Sequence, residues 1–452
     1  MISEKLLVVK ISSVKMVYFT GVSFFYLIIG LWEANAHFNF GKNAELEVKY
    51  QWSQLEFDYP SEYERQADLD NGNFVPSQAA PIDVDVYYPP GDKLPPKVFV
   101  TIPRFQSGAP ATLGTVSDKV KDGNPVITPY PSWDWHTNSN DCKTDRLVSV
   151  FRVMIDDCGR LWVLDTGRLV DKMICPPQLL AFDLKTNRVI HKYEIPNSQI
   201  ESRSILVTPV VEIRDTRNQC RNTFVYLADC QTYSIIVYDL QRQTSWRVSH
   251  KTMYPYPNFG TYNIAGDSFD LMDGILGMSL APSVDEGGRR LYYHAMSSPT
   301  ENWVYTSYLR NETRFSQNPE SSPEIFNTYR LDRRTQSAAE AINKDGVLFF
   351  GLMSDIKIAC FNIRGDYGDW RSTDIVADNP ITLQFVSGMK VVKNRKGVEK
   401  LLVLTSRFQK VAKGILDTSE INFRILVADV DTLIYRKNCG KQNIWKEYGV
   451  FW

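Results

Sequence analysis

A short apolar strand that ends in a polar corner recurs six times along this 452-residue sequence. Successive copies begin 63, 63, 66, 57 and 54 residues apart, which is a nearly even spacing. Self-similarity at such a period is typical of a repeat architecture, in which each copy supplies one small structural unit. The copies are KVFVTIPR from Lys97, RLWVLDTG from Arg160, TFVYLADC from Thr223, RRLYYHAM from Arg289, GVLFFGLM from Gly346 and KLLVLTSR from Lys400.

Further strand-like segments flank most copies, so that each unit contains about four strands. In the fourth unit, DGILGMSLAP precedes the repeated strand, a turn signal at Asp285–Gly288 separates the two, and WVYTSYL follows. Six four-stranded antiparallel units predict an all-β fold, a six-bladed β-propeller with a central channel. A pair of β-sandwiches also provides many short strands, but it does not explain the even spacing.

The fifth unit fits this pattern least well. Its first strand would fall in QSAAEAINKDG, which is poorly apolar, and the overlapping segment TQSAAEAIN is the best helix candidate of the sequence. Aromatic residues make up 12% of the chain and favour strands, so the composition supports β structure elsewhere.

Residues 1–36 are predicted to form a signal peptide. Three lysines precede an apolar stretch from Met16 to Leu31, and Ala34-Asn35-Ala36 matches a cleavage site. A membrane anchor is the alternative, although this stretch is short for a membrane span and no later segment is long enough for one. We therefore predict a secreted, extracellular protein with no membrane span, a propeller at 37–438 and a C-terminal tail at 439–452.

Seven cysteines follow the predicted signal peptide, and most of them should pair in an oxidising compartment. The sequence leaves the pairing open, and Cys439 in the tail is a candidate for bridging two chains. No cysteine and histidine cluster has zinc spacing. The sequon Asn311-Glu312-Thr313 predicts glycosylation on a surface loop.

The charge balance and the missing motifs narrow the function. The chain has 51 basic and 52 acidic residues and offers no basic patch for nucleic acid. It contains no nucleophile elbow, phosphate-binding loop or HExxH motif, and five scattered histidines cannot supply two three-histidine copper sites. We expect a small-molecule substrate and neither a metal nor a cofactor, although calcium bound by carboxylates at the propeller mouth stays open.

Motifs along nearly all of the mature chain resemble those of the yellow/major royal jelly protein family of insects. The similar region extends from about Leu46 to Cys439. The resemblance implies secretion and a six-bladed propeller, in agreement with the repeat. The motifs are YPSWDWH at Tyr130, CGRLWVLDTG at Cys158, DGILGMSLAP at Asp273, RRLYYHAMSS at Arg289, LRNET at Leu309, FVSGMKV at Phe385 and NFRIL at Asn422.

The functions of that family diverge. Some members act in melanin formation and one branch converts dopachrome to a dihydroxyindole, whereas others bind biogenic amines in the channel or are nutritive or cuticle-associated. This chain most resembles the dopachrome-converting branch, so the resemblance implies a secreted dopachrome isomerase, or tautomerase, in melanin biosynthesis. A non-catalytic amine-binding protein and a structural protein with a vestigial channel are the alternatives.

The polar corners after the repeated strands are candidate functional residues, because equivalent corners of a propeller converge around one channel mouth. Dopachrome conversion needs a base for a carbon-bound proton and a donor that stabilises charge on a quinone oxygen. We assign His294 as base or acid, and Arg104 or Arg407 as the anchor of the substrate carboxylate. The other candidates are Asp165 and Asp229 as catalytic residues, and Asp270, Asp273, Phe385, Ser387 and Trp135 as substrate-binding residues.

Other interpretations of these residues stay open. Family members often have an Asn-Phe-Gln-Trp-like run before the Asp-Gly of the fourth blade, whereas this chain has Ser268-Phe269-Asp270-Leu271. Asp165 and Asp229 could accept backbone N–H bonds at the corners. His294 could be an interior histidine whose hydrogen bonds are satisfied, and the two arginines could hold blades together.

Overall fold

Six antiparallel sheets in a ring form a six-bladed β-propeller, which confirms the prediction from the repeat. The computed structural model describes residues 46–91, 94–136, 141–143, 145–282, 288–369 and 371–441. The predicted signal peptide and most of the predicted tail lie outside the described residues, as does most of the Asp285–Gly288 turn. In each blade the first strand lines the channel, and the repeated strand of the sequence lies second.

Blades 1 to 3 follow one another along the chain. Blade 1 consists of Asp83–Tyr87, Lys97–Thr101, Leu113–Lys121 and Asn124–Pro129, with Glu56–Phe57 added in parallel at its outer edge. Blade 2 consists of Val150–Ile155, Arg160–Asp165, Gln178–Asp183 and Arg188–Glu194. Blade 3 consists of Leu206–Ile213, Thr223–Asp229, Ser234–Asp239 and Thr244–Ser249.

Blades 4 to 6 complete the ring. Blade 4 consists of Ile275–Leu280, Arg290–Ala295, Asn302–Tyr305 and Asn327–Thr328. Blade 5 consists of Glu340–Ile342, Val347–Leu352, Lys357–Asn362 and Thr373–Asp378. Blade 6 consists of Val386–Lys393, Glu399–Ser406 and Phe423–Asp429, and its outer strand is Glu47–Trp52 from the start of the described chain. The ring is therefore closed by pairing strands from the two ends of the described chain.

In the described part of the chain, two hairpins and several short helices lie outside the blade strands. One hairpin pairs Arg168–Leu169 with Lys172–Met173; the other, which we call the mouth hairpin, pairs Thr261–Ile264 with Asp267–Asp270. The α-helices are Glu62–Asn71, Thr306–Leu309, Glu312–Phe315, Phe408–Ala412 and Val430–Leu433. The 3-10 helices are Trp133–His136, Asn197–Gln199, Lys251–Met253, Pro257–Phe259, Pro323–Ile325 and Asn438–Gly440.

Two surface predictions concern these connecting segments. Within the described ranges, none of the helices has the length and apolar character needed to cross a membrane. Asn311 is exposed just before the helix Glu312–Phe315, as a glycosylated residue must be. Glycosylation of this residue stays a prediction.

Both faces of the central blade strands are buried, because each sheet packs between two neighbouring blades. In blade 3, Tyr226 and Ala228 pack in a cluster shared with blade 4, whereas Val225 and Leu227 pack in a cluster shared with blade 2. Strands buried on both faces need nearly continuous apolar sequence rather than alternation. This requirement is why the repeated strands stand out in the sequence.

The helix candidate TQSAAEAIN is not helical, and the weakly matching first strand of the fifth unit is present within QSAAEAINKDG. Glu340–Ile342 is the inner strand of blade 5 and pairs with Leu348, Phe349 and Phe350. The ring needs a strand at this position between blades 4 and 6. This tertiary requirement outweighs the helix propensity of the alanines, because propensity is a weak preference that packing overrides.

All seven cysteines lie in the described part of the chain. They form the disulfides Cys142–Cys175, Cys158–Cys220 and Cys360–Cys439, and Cys230 is a buried free thiol. The hypothesis that Cys439 bridges two chains is therefore wrong, because this residue fixes the C-terminal segment to blade 5. Three disulfides are typical of a protein that folds in an oxidising compartment.

We expect the double variant Cys360→Ser/Cys439→Ser to lose about 2–4 kcal/mol of unfolding free energy. The two cysteines are 79 residues apart, so the disulfide restricts a long loop of the unfolded chain. Urea unfolding followed by tryptophan fluorescence measures the loss. A variant as stable as the wild type, or a wild-type protein that migrates as a disulfide-linked dimer, would contradict the pairing.

Candidate functional site

A mainly apolar cavity occupies one end of the channel, where the inner strands of the blades begin. Its volume is about 200 Å³, which is small for a ligand site and suits one bicyclic molecule. The rings of Phe105, Phe151, Phe385 and Phe408 form its aromatic wall. The residues with polar side chains that line it are Arg152, Cys230, Gln231, Asp273 and Ser387.

The mouth hairpin packs beside this cavity. Phe269 stacks on Tyr262 with ring centroids 5.0 Å apart and meets Phe408 of the cavity wall edge-on at 5.8 Å. Gln336 Nε2 donates to the Thr261 carbonyl at 2.9 Å, and Lys413 Nζ lies 2.6 Å from Asp267 Oδ1. The hairpin between blades 3 and 4 is thus tied to blades 5 and 6 across the channel end.

Asp273 is the acid of the cavity. Its N–H donates to Ser297 Oγ at 3.2 Å and its C=O accepts from the Ser297 N–H at 3.0 Å, which fixes the backbone. The side-chain amide of Gln231 donates to the carboxylate. Burial raises the pKa of Asp273 to about 6, against the effect of the Gln231 hydrogen bond. A carboxylate with this pKa is mostly ionised at neutral pH and is a stronger proton acceptor than an ordinary aspartate.

The thiol of Cys230 lines the same cavity. Burial raises its pKa well above the usual range, and the negative charges of Asp273 and Asp229 act in the same direction. The group is therefore a protonated thiol at neutral pH and is a poor nucleophile, since the thiolate is the reactive form.

Three of the residues predicted from the sequence line the cavity: Asp273, Phe385 and Ser387. Asp270 does not, because it lies exposed on the mouth hairpin and accepts a hydrogen bond from the Thr261 hydroxyl at 2.7 Å. Trp135 lies outside the cavity as well, packed edge-on against Phe182 of blade 2 at 5.2 Å. The carboxylate that departs from the family pattern thus does not face the ligand space.

Asp165 and Asp229 are fully buried at the corners of blades 2 and 3. Asp165 accepts from the backbone N–H groups of Val148 at 2.9 Å and Ser149 at 2.8 Å. Asp229 accepts from the Ile205 N–H at 3.0 Å and from Arg247 Nη1 at 3.3 Å. Both carboxylates hold the chain that enters the inner strand, and neither lines the cavity.

Arg104 and Arg407 are also held away from the cavity. Arg104 is 3% exposed and donates to four backbone carbonyls, including Pro110 at 2.6 Å and His136 at 2.9 Å. Arg407 precedes the helix Phe408–Ala412 and forms an ion pair with Glu420. Neither guanidinium is placed to bind a substrate carboxylate in the cavity.

His294 lies in a fully buried cluster between blades 4 and 5. Its Nδ1 is 2.9 Å from Glu301 Oε2 and 3.0 Å from Glu340 Oε2, and Arg333 Nη1 is 2.8 Å from Glu301 Oε2. The ring lies against the neighbouring strand at Gly277, where a Cβ atom would be 2.4 Å from His294 Nε2. A glycine is needed at that position because any side chain would collide with the imidazole.

The same cluster has the composition of a candidate metal site, since one nitrogen and two carboxylate oxygens lie within 4.8 Å of one another. The charges favour a proton instead. Arg333 and a protonated His294 together balance the charges of Glu301 and Glu340. A divalent ion would have to displace that proton beside a fixed guanidinium, so we interpret the cluster as a structural bridge between blades.

Sequence reasoning missed Arg152, Gln231 and the phenylalanines Phe105, Phe151 and Phe408. Arg152 left a signal, because it is a charged residue in the middle of the apolar run LVSVFRVMID. An arginine on an inner propeller strand must point into the channel or be paired, since burying an unpaired charge is costly. The phenylalanines could not be recognised from the sequence, because single aromatic residues are common in strands.

Comparisons with known proteins identify relatives of this chain. The sequence profile described as "Major royal jelly protein" matches residues 148–439. The chain is 36% identical to major royal jelly protein 9 of Apis mellifera over 90% of this chain and 93% of that protein. It is 31% identical to the dopaminechrome tautomerase of Drosophila melanogaster, over 90% of this chain and 86% of that protein. It is also 33% identical to protein yellow of Drosophila madeirensis, over 88% of this chain and 68% of that protein. With these matches over nearly its whole described length, the chain belongs to the major royal jelly protein/yellow family.

Proposed function

We propose that this chain is a tautomerase of aminochromes, the indoline quinones formed when catecholamines are oxidised, and that it prefers substrates without a carboxylate. The observation that carries this proposal is the position of Asp273, a carboxylate with a raised pKa in a mainly apolar, aromatic cavity. The 31% identity to a dopaminechrome tautomerase supports the same reaction class. Dopaminechrome differs from dopachrome in lacking the carboxylate.

The charge of Asp273 favours the substrate without a carboxylate when the nitrogen-bearing ring lies toward Asp273 and the quinone oxygens lie toward Arg152. A dopachrome carboxylate would share a small cavity with Asp273, and like charges at close range repel. Arg104 and Arg407, which the sequence suggested as anchors, are engaged by backbone carbonyls and by Glu420. Dopaminechrome brings only a ring nitrogen and two quinone oxygens, so it avoids this repulsion.

The reaction needs a base and a proton carrier but no redox partner. In the conversion of dopaminechrome to 5,6-dihydroxyindole, one proton leaves each saturated ring carbon and one proton arrives at each quinone oxygen. The electron pairs of the two C–H bonds enter the ring, so the substrate and the product are isomers. Ionised Asp273 is assigned to remove the carbon-bound proton, and the phenylalanine walls position the planar ring by stacking.

Secretion is part of the proposal. It is supported by the predicted signal peptide at 1–36 and by three disulfides, which are typical of oxidising compartments. Such a location would bring the protein together with catechol oxidation products of melanin formation.

A direct assay tests the activity and the substrate preference. The purified chain is mixed at neutral pH with freshly oxidised dopamine or freshly oxidised dopa, and the decay of the quinone absorbance is followed with heat-inactivated protein as the control. We expect saturable acceleration with both quinones, and a kcat/KM at least about tenfold higher for dopaminechrome, since close like charges cost several kcal/mol. Equal or reversed preference would contradict the charge argument, and no acceleration would contradict the enzyme.

The same geometry supports a second function, the non-catalytic binding of aromatic amines. A carboxylate beside aromatic walls holds an ammonium group by charge and by cation–π contact. Calorimetry with dopamine and serotonin distinguishes the two functions. Saturable binding of either amine without any acceleration of dopaminechrome decay would identify a binding protein.

A further inference from the structure

Arg152 lies on the inner strand of blade 2 and reaches across the channel. The pairing between the first two strands of this blade shifts its register between Val150 and Val153. This bulge lets Phe151 and Arg152 both face the cavity, although neighbouring strand residues normally point to opposite sides. The inner strands of blades 3, 4 and 6 also have register shifts near their first residues.

The guanidinium of Arg152 contacts four other blades. Nη1 donates to the Leu276 carbonyl of blade 4 at 3.2 Å and to Thr208 Oγ1 of blade 3 at 3.4 Å. Nη2 donates to the Ala338 carbonyl before blade 5 at 3.1 Å and to the Ser387 carbonyl of blade 6 at 2.6 Å. Because the N–H bonds of a guanidinium lie in its plane, acceptors on four sides set this plane across the channel.

Arg152 therefore divides the channel into two compartments. The apolar cavity with Asp273 lies on one side of the guanidinium. A second cavity of about 260 Å³ lies on the other side and is also lined by Arg152, together with Met278, Arg289 and Lys390. The flat face of the guanidinium is thus the floor of the apolar cavity.

The charge of this floor is not cancelled by an ion pair. Across the described ranges, no carboxylate forms a salt bridge with Arg152, and all four of its hydrogen-bond acceptors are neutral oxygens. The acids Asp83 and Glu340, whose charges act on Arg152, have other partners: Lys390 is 2.7 Å from Asp83, and His294 is 3.0 Å from Glu340. In a low-dielectric cavity, such a charge acts strongly on a bound molecule.

We propose that Arg152 is an oxyanion-binding floor, and that the cavity takes catechols and o-quinones with a ring oxygen directed at this guanidinium. The assignment rests on the proposed function and gives the ligand an orientation, with its nitrogen-bearing ring toward Asp273 and its oxygens toward Arg152. When Asp273 takes the carbon-bound proton, the electron pair moves through the ring to the quinone oxygen. Arg152 stabilises the negative charge there until a proton from solvent or from Asp273 reaches that oxygen.

A spectroscopic titration tests this floor on the unaltered protein. The probe is 4-nitrocatechol, whose colour changes when it ionises. Its absorbance is measured as a function of pH, once for the free compound and once for the compound bound to the protein. We expect the bound catechol to ionise about 1–3 pH units lower than the free one, since a cation at close range favours the anion. The negative charge of Asp273 would raise the pKa of the bound catechol, so a lowered pKa reports the positive charge of Arg152. An unchanged or raised value, or no binding, overturns the proposal.

Variants separate this role from structural support. Arg152→Gln should lower kcat for dopaminechrome by about 10²–10³-fold, and Arg152→Lys should retain part of the lost rate. Arg289→Gln is the matched control, because it removes a cation from the second cavity on the far side of the floor, and it should leave kcat unchanged. A folded Arg152→Gln variant with the wild-type kcat would overturn the proposal.

The two proposals fail in different ways. If dopaminechrome is converted but the pKa of bound 4-nitrocatechol equals that of the free compound, the tautomerase proposal is supported and the role of Arg152 is excluded. If the pKa of the bound catechol is lowered but dopaminechrome is not converted, the role of Arg152 in binding the anion is supported and the enzymatic function is excluded. If the Arg152 variants do not fold, the titration on the wild-type protein still decides.

Discussion

Asparagine in place of Asp273 should lower kcat for dopaminechrome by about 10²–10⁴-fold, the range that general-base catalysis contributes. The amide has nearly the shape of the carboxylate and can still pair with the Gln231 side chain, so the cavity should keep its form. It cannot accept the proton from the substrate carbon. Steady-state rates measured from the quinone absorbance, together with circular dichroism of the variant, provide the comparison.

The matched control is Asp270→Asn, three residues earlier in the chain. Asp270 is exposed on the mouth hairpin, and its hydrogen bond to Thr261 can also be formed by asparagine. We expect the rate of this variant to stay within about twofold of the wild type, as is usual for surface substitutions. A folded Asp273→Asn variant with full activity, or equal losses in the two variants, would exclude Asp273 as the base.

The pH dependence of the rate reports the same group. A base works only when ionised, and burial raises the pKa of Asp273 to about 6. The rate should therefore rise as pH increases through about 6 and level off above it. An ordinary exposed aspartate would place this rise near pH 4. A rate that is flat between pH 5 and pH 7 would contradict the assignment.

The fold was predictable because the physical requirement for each blade is local and repeated. Every central strand is buried on both faces, so a run such as TFVYLAD is apolar without interruption and can be recognised six times. The strand Glu47–Trp52 was not predicted, because its partner Phe423–Asp429 lies at the other end of the chain. Glu340–Ile342 matched the repeat only weakly, because three residues between small side chains carry little strand signal.

The candidate site was only partly predictable, because position along a strand does not determine which way a side chain points. Asp165 and Asp229 lie at the predicted corners, but they accept hydrogen bonds from the backbone that enters the inner strand of their own blade. The cavity is instead lined where inner strands begin, and bulges there redirect side chains such as Arg152. Register shifts depend on pairing with the next strand, and nothing in the linear pattern marks them.

Removing the guanidinium of Arg333 should destabilise the propeller by about 3–5 kcal/mol, because breaking a buried ion pair leaves an uncompensated charge in the interior. Arg333 pairs with Glu301 at 2.8 Å and also donates to the Ser298 carbonyl at 2.9 Å, with its side chain fully enclosed. Urea unfolding of Arg333→Met measures the loss. The exposed Arg330→Met is the control, and a loss below about 1 kcal/mol in Arg333→Met would show that the cluster does not join the blades.

The pH dependence of stability tests the protonation of this cluster. Burial, and then the charge of Glu301, raise the pKa of Glu340 to about 7. Burial and Arg333 lower the pKa of His294, but Glu301 and Glu340 outweigh them and the net shift is upward. The buried hydroxyl of Tyr367, 3.2 Å from Arg333 Nη1, also faces the cluster.

Glu340 and His294 therefore hold protons more tightly in the folded than in the unfolded chain. Their contribution to stability is complete at low pH and is lost as pH rises through the folded pKa values. The difference in unfolding free energy between the wild type and Glu340→Gln should accordingly shrink as pH increases from 5 to 8, because glutamine does not titrate. The exposed Glu324→Gln should show a constant difference over the same range. A difference between wild type and Glu340→Gln that grows with pH would mean that Glu340 releases its proton more easily in the folded than in the unfolded chain, which would contradict the raised pKa.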